Sequence, residues 1–363
     1  MSRRAARGRG ALFIGVLAIV ATACGGGGDD ASTTEGSSTT ILATTAAPST
    51  TEATTDESEA PPATDAPGPV YPLTGLPVTD PVAAARPALV VKIDNNEKAR
   101  PQNGLNEADI VFEEIVEVQT RFAAVFHSQT ADPVGPIRSG RTQDIDLLGS
   151  FNAPMFMWSG GNAAVTRAIE DSDFVNLSAQ HSDVYAAAGF FRSDDRPGPH
   201  DLYASTSAAW GSLTPEGAGP PPQQLSYLAD GDQAEGEAAA GCIGDMDGLA
   251  VGWTFDATSG SYLRTTNGEP HMDVLSGQVS TENVVVMYVE YRSSPADSRS
   301  PEAQTIGSGE AWVFTGGVLI RGTWTRVDRL SGVVLNDSSG QVIELSPGRT
   351  FFELARTGSY QPT

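Results

Sequence analysis

The sequence predicts an α/β N-terminal domain with a mixed sheet over residues 71–210, followed by a mainly β C-terminal domain over residues 242–363. Three observations predict this division. β-branched runs alternate with capped helical patterns in the first stretch. Short strands punctuated by turn residues fill the second. Between them, residues 211–241 are rich in Pro, Gly, Gln and Glu around Pro220, Pro221 and Pro222, the composition of an interdomain linker.

Ahead of both domains, Arg3, Arg4, Arg7 and Arg9 precede an apolar run from Ala11 to Thr22. That run falls short of the roughly 20 apolar residues needed to span a bilayer, so residues 1–23 read as a secretory signal. Ala21, Thr22, Ala23 and Cys24 are similar to a bacterial lipobox, in which the cysteine receives a diacylglycerol and becomes the new N-terminus; Ala21 stands where Leu is preferred. Plain signal cleavage at the same bond is the alternative, because Ala21 and Ala23 also satisfy the small-x-small rule. The expectation is a lipid-anchored protein on the extracytoplasmic face of the cell membrane. Residues 24–70 then form a disordered tether, because Ser, Thr, Ala, Pro, Gly and acid cannot bury a core. A flexible coil of about 45 residues spans roughly 35–40 Å.

Within the first domain, Ala88–Ile93, Asp109–Val118 and Arg121–Phe126 read as strands, the last two joined in a hairpin through Gln119 and Thr120. Ser139 is placed to cap a helix from Gly140 to Leu148, Ala153–Trp158 reads as a buried strand, and Asn162–Ile169 as a helix opening after Gly160 and Gly161. After the linker, strands are expected at Leu249–Phe255, Ser261–Thr265, Val284–Tyr291, Trp312–Phe314, Val318–Trp324 and Val342–Leu345. Asn267-Gly268 predicts a type I′ turn, because both central residues need positive φ.

The chain carries 22 basic and 45 acidic residues. Removing residues 1–23 takes four bases and no acid, leaving a mature charge of −27, a field that repels nucleic acid and anionic lipid heads. No nucleic-acid partner is expected; the expected partners are the membrane, through the anchor, and a cell-wall polymer or envelope protein. Cys242 is the one thiol besides Cys24, so once Cys24 is acylated no internal disulfide can form. Gly-x-Ser-x-Gly, Ser-x-x-Lys, Cys-x-x-Cys, His-Glu-x-x-His and P-loop patterns do not occur, which leaves the corresponding hydrolase, redox, zincin and nucleotide chemistries without sequence support.

A set of fixed short patterns resembles the YerB-type bacterial lipoproteins, a two-domain family of uncharacterised activity. In the first domain these are Pro72–Pro77, Asn95-Asn96, Arg100-Pro101-Gln102, Gly104-Leu105, Ala108–Val111, Thr120-Arg121-Phe122, Gly135–Ser139, Gly160-Gly161, Pro199-His200 and Leu202-Tyr203. In the second they are Tyr262, Arg264, Asn267-Gly268, His271, Asp273, Pro347-Gly348 and Thr350. The chain departs from the pattern at Trp158, where the resemblance implies His, and at Asp201, where it implies Asn. A looser likeness, of fold alone, is to the LytR-CpsA-Psr family, which moves anionic polymers from lipid-phosphate carriers to peptidoglycan. Arg138 and Gly160-Gly161 match that pattern, and Ser139 replaces its acidic residue.

The candidate site follows from side-chain chemistry. Arg100, Arg121, Arg138 and Arg141 stand at expected strand ends or a helix start, where guanidinium forks and free N–H groups can hold a carboxylate or phosphate. The alternative is that they pair with Asp109, Glu113, Glu114 or Glu117 and only brace the sheet. Gly160 and Gly161 can admit a phosphate to the backbone or merely form a tight turn. His271 and Asp273, two apart, can with His200 bind a divalent metal or can fix their own turn by a hydrogen bond; we assign them the turn and expect no metal or cofactor. The leading expectation is a ligand- or partner-binding surface at Arg100, Arg121, Arg138, Arg141, Asp109, Gly160, Gly161 and His200. The alternative is an enzyme on an anionic envelope substrate, with Arg121 and Arg138 as clamps and Asp109 or Glu114 as general base or metal ligand.

Overall fold

The computed structural model describes residues 68–363. The signal segment, Cys24 and nearly all of the tether lie outside the described residues.

The first half builds β1 (Leu89–Asp94), β2 (Ile110–Val116), β3 (Gln119–Phe126), β4 (Met155–Trp158) and β5 (Val175–Ser178), with helices α1 (Pro81–Ala85), α2 (Gln143–Leu148), α3 (Ala163–Glu170), α4 (Ser182–Ala187) and α5 (Thr206–Leu213). The second half adds β6 (Gly241–Asp245), β7 (Ala250–Asp256), β8 (Ser261–Thr266), β9 (Asn283–Tyr288), β10 (Gly307–Thr315), β11 (Val318–Arg326), β12 (Val334–Asp337), β13 (Thr350–Ala355) and β14 (Tyr360–Pro362), with several two- and three-residue strands between them. The first half is therefore α/β with a mixed sheet, and the second is mainly β.

One large sheet runs through both halves in the order β12-β11-β10-β9-β13-β2-β3-β1-β4-β5. β13, from near the C-terminal end, lies parallel to both β2 and β9 and so joins strands of the two halves into one surface. Its six residues, Thr-Phe-Phe-Glu-Leu-Ala, are all buried, as a strand covered on both faces requires. A second sheet, carrying β8, β7, β6 and β14 in that order, packs over one face of the large sheet through Trp253, Tyr262, Cys242 and Tyr360. The opposite face buries Phe112, Phe156, Trp158 and Phe352 against Leu147 and Leu148 of α2 and Val165 and Ile169 of α3.

Local chemistry corrects some expected boundaries. The β2–β3 turn is Glu117-Val118, with Glu117 at φ 48°, so Gln119 and Thr120 belong to β3. α2 begins at Gln143, three residues later than expected: the Asp144 carboxylate accepts the Arg141 N–H at 2.6 Å and the Asp144 N–H donates to Arg141 O at 3.2 Å, a reciprocal pair that closes the turn leading into the helix. Ser139 does not cap it; its carbonyl serves Arg121. Asn162 caps α3, accepting from Ala164 N (2.9 Å) and Val165 N (3.0 Å). Asn267 and Gly268 both take positive φ, +53° and +82°, in the hairpin that follows β8. Within residues 211–241 the chain makes short strands at Ser226–Tyr227 and Glu237–Ala238.

Candidate functional site

β1 and β4 are parallel neighbours from Leu89 with Met155 to Val91 with Met157, and then they diverge. The segment Pro136–Arg138 fills the fork. Asp94 N donates to Pro136 O, Arg138 N to Lys92 O, and Ser159 N to Arg138 O. A crevice at the carboxyl ends of parallel strands is a recurrent ligand position in α/β sheets, and here the fork places Arg138 in it. Ile137 N also donates to Leu202 O, which brings the preceding His200 to the same end.

Asp94, fully buried, anchors two of these groups through one oxygen. His200 Nδ1 lies 2.7 Å from Asp94 Oδ2, and Arg138 Nε lies 3.0 Å from the same atom, close enough for an ion pair but not aligned as a hydrogen bond. Asp94 Oδ1 accepts the Asn96 N–H at 3.0 Å. The outer ends of both groups, Arg138 Nη1 and Nη2 and His200 Nε2, have no protein partner among the described residues and are not sealed from solvent.

Arg121 faces Asp94 across the β1–β3 ladder and Glu114 across the β2–β3 ladder. Its side chain is nearly sealed, with 3 % of the residue exposed. Nη1 donates to Ser139 O at 2.8 Å, Nε has no partner, and no carboxylate lies within ion-pair distance among the described residues. Burial first, then the fields of Arg141 and Arg138, push its pKa down to about 9, an effect only partly offset by Asp94 and Glu117. Glu114, across the ladder, is committed elsewhere. It accepts from Lys92 Nζ at 2.5 Å and from the Gln143 side chain, and Lys92 also donates to Asp144 at 2.8 Å. Burial, and then the Asp144 charge, raise Glu114 to about 7.

Arg141 opens onto an adjoining cleft of about 290 Å³, lined by Ser139, Gly160, Gly161 and Gln180 from the first half and by Ser294, Asp297 and Ser300 from the second. Its Nη2 contacts Glu117 at 3.0 Å, its Nε donates to Ser300 Oγ at 3.2 Å, and its Nη1 donates to Gly140 O at 2.9 Å. Asp297 is paired with Arg299 at 3.1 Å. Gly160 sits at φ +103°, where a Cβ would come within 2.2 Å of Gln180 Nε2. The N–H groups of Gly160, Gly161 and Asn162 find no protein acceptor among the described residues and border the cleft.

Arg121, Arg138, Arg141, Gly160, Gly161 and His200 thus gather at one end of the sheet. Arg100 and Asp109 do not join them. Arg100 turns to Asn95, donating to its Oδ1 at 3.0 Å and its backbone O at 2.8 Å beside a separate hollow near Asp247 and Asn267. Asp109 precedes β2 at the far end, where it accepts from His127 N (2.5 Å), Ser128 N (2.9 Å) and Ser128 Oγ. Asp94, Glu117, Gln180 and Ser300 were absent from the expected site. Of these Glu117 was expected only as an acid that could pair with the arginines, as it does with Arg141, and Asp94 carried the signal of an acid at a strand end directly before the Asn95-Asn96 pair.

His271 and Asp273 are structural. His271 is buried with Nε2 2.8 Å from Gln102 Oε1 and Nδ1 2.7 Å from Thr266 Oγ1, and burial and Arg264 hold it well below the usual histidine range. Asp273 accepts the Leu105 and Leu275 N–H groups, each at 2.8 Å. Among the described residues no cluster of three His, Cys, Asp or Glu side chains is set to hold a metal ion. Trp158, at the position where the resemblance implies His, is buried and donates its Nε1–H to Asn176 Oδ1 at 2.7 Å.

Two family models match this chain: "Protein of unknown function (DUF3048) N-terminal domain" over residues 73–218 and the corresponding C-terminal domain over residues 245–352. A curated protein, "Putative lipoprotein YerB" of Bacillus subtilis (strain 168), is 27 % identical over 293 residues, covering 78 % of this chain and 85 % of that protein. The crystal structure of YerB from Bacillus subtilis superposes with a TM-score of 0.69 at 23 % identity, covering 81 % of this chain and 99 % of the other, a likeness of fold.

Proposed function

The chain belongs to the DUF3048 family, with both domains present in order, and we propose that it is a membrane-anchored envelope protein that binds an anionic envelope ligand at the end of the sheet where Arg121, Arg138 and Arg141 gather. The observation that carries this reading is Arg121, a buried guanidinium beside two others that, among the described residues, has an unpartnered Nε and no carboxylate of its own. A structural arginine at such depth is ordinarily neutralised, because an unpaired buried charge costs several kcal/mol. Arg138 and Arg141 each have a carboxylate within ion-pair distance, Asp94 and Glu117, whereas Arg121 has none among the described residues, so a bound anion would supply the counter-charge that Arg121 lacks. Arg138 supplies a free fork, Arg141 a cleft wall, and Gly160 and Gly161 unpaired N–H groups.

Anchoring through Cys24 completes the proposal. The lipobox-like stretch supports it, as does the lipoprotein name of the Bacillus subtilis relative. A tethered body with such a cleft suits phosphate-bearing lipids or wall polymers.

Titrating the full chain in detergent with inorganic phosphate and with a short-chain polyprenyl phosphate tests the reading. Arg138→Ala and Arg141→Ala are each expected to weaken binding by about 10- to 100-fold, the worth of a hydrogen bond to a charged group. Unchanged affinity in both variants would end it.

A further inference from the structure

We propose that Asp94, Arg138 and His200 form an acid–base subsite within this anion site, and that the protein hydrolyses phosphodiesters there. The inference rests on the anion-binding reading and adds chemistry to it. Three features carry it. Asp94 Oδ2 fixes the His200 ring through Nδ1 at 2.7 Å, which leaves Nε2 as the outward, proton-accepting nitrogen. The same carboxylate oxygen lies 3.0 Å from Arg138 Nε, so the free guanidinium fork and the free imidazole nitrogen are tied to one buried atom and held side by side. Among the described residues neither outer end has a partner, an unusual expense for two polar groups that are four-fifths or more buried.

A carboxylate that orients a histidine, whose other nitrogen is then poised for proton transfer, is the arrangement general-base catalysis requires. A guanidinium fork beside it stabilises charge developing on phosphoryl oxygens. In the step, His200 Nε2 takes a proton from water as the water oxygen bonds to phosphorus. The bond from phosphorus to the ester oxygen opposite the water breaks, the departing alkoxide takes a proton from solvent, and the imidazolium gives its own to solvent. Diester and water give monoester and alcohol, with no change of oxidation state.

The test uses the full chain in detergent with bis(p-nitrophenyl) phosphate, following p-nitrophenolate release. The intact protein is expected to hydrolyse it above the buffer rate. His200→Ala is expected to slow it by about 10²- to 10⁴-fold, the usual worth of a general base, and to recover rate when imidazole is added. Should His200→Ala fail to fold, His200→Asn, whose side-chain amide can still donate to Asp94, carries the same expectation for rate. Phosphate binding without any turnover, or a His200 variant that hydrolyses at the parent rate, overturns the acid–base assignment and leaves the binding reading intact. Absence of phosphate binding at the arginines sinks the binding reading itself.

Discussion

Replacing Arg264 by Leu should be the most destabilising single change between the two sheets. Arg264 is fully buried, donating from Nη2 to Glu113 Oε2 at 2.5 Å and from Nη1 to Glu353 Oε1 at 2.8 Å, with Trp253 Nε1 on the same Glu353 oxygen at 2.8 Å. Glu113 and Glu353 are register partners on β2 and β13, so the arginine ties the second sheet to the strand pair where the two halves join. Leucine would leave two adjacent buried carboxyl groups with no counter-charge. Breaking a buried pair in this way costs about 3–5 kcal/mol, and at roughly 2–4 °C per kcal/mol for a domain approaching this size the melting temperature should fall by about 6–20 °C. The loss should shrink on acidification, because a protonated pair no longer buries unpaired charge. Glu353 is already pushed up to about 8 by burial and the neighbouring Glu113, despite Arg264. Calorimetry at pH 5 and pH 8 measures both effects. A melting temperature within 2 °C of the parent at pH 8, or a larger loss at pH 5, would refute the reasoning.

In the unmodified protein the raised Glu353 pKa makes the folded state bind more protons than the unfolded state between about 4.5 and about 8, so this group's contribution to stability falls as pH rises through that window; denaturant midpoints across it check the sign. Asp109→Ala removes an acceptor serving two backbone N–H groups and a hydroxyl and should cost about 2–3 kcal/mol in chemical denaturation, while phosphate affinity stays at the parent value because Asp109 lies at the far end of the sheet. Gly160→Ala forces a Cβ onto a φ of +103° and against Gln180, so about 1–3 kcal/mol of stability and part of the phosphate affinity should go together. Cys24→Ala should move the protein from the membrane to the soluble fraction, as fractionation and mass spectrometry would show.

Most of the longer strands announced themselves through β-branched runs, and the Asn267-Gly268 hairpin through its turn chemistry. β13 has no counterpart among the expected strands although Thr-Phe-Phe-Glu-Leu-Ala between Gly348 and Gly358 is a short apolar run. A glutamate in the middle masks it as a buried strand, and only the distant Arg264 and Trp253 make that glutamate acceptable inside. The site was legible as a list of arginines but not as a place. Arg121, Arg138 and Arg141 share one end of the sheet because β1 and β4 diverge around Pro136–Arg138, a parallel crossover that local pattern does not encode. Arg100 has the same strand-end position in sequence, yet the chain leaving β1 directs it to Asn95 on the other side. Asp94 was hidden because its partners lie 44 and 106 residues away, at Arg138 and His200.

Crystals of the protein soaked in tungstate, a dense phosphate mimic, test the central claim most directly. An anomalous peak within hydrogen-bonding reach of Arg138 Nη and Arg141, beside the Gly160 and Gly161 N–H groups, is the expected result. Saturating tungstate that leaves the fork between β1 and β4 empty while the three guanidinium groups stay in place would contradict it.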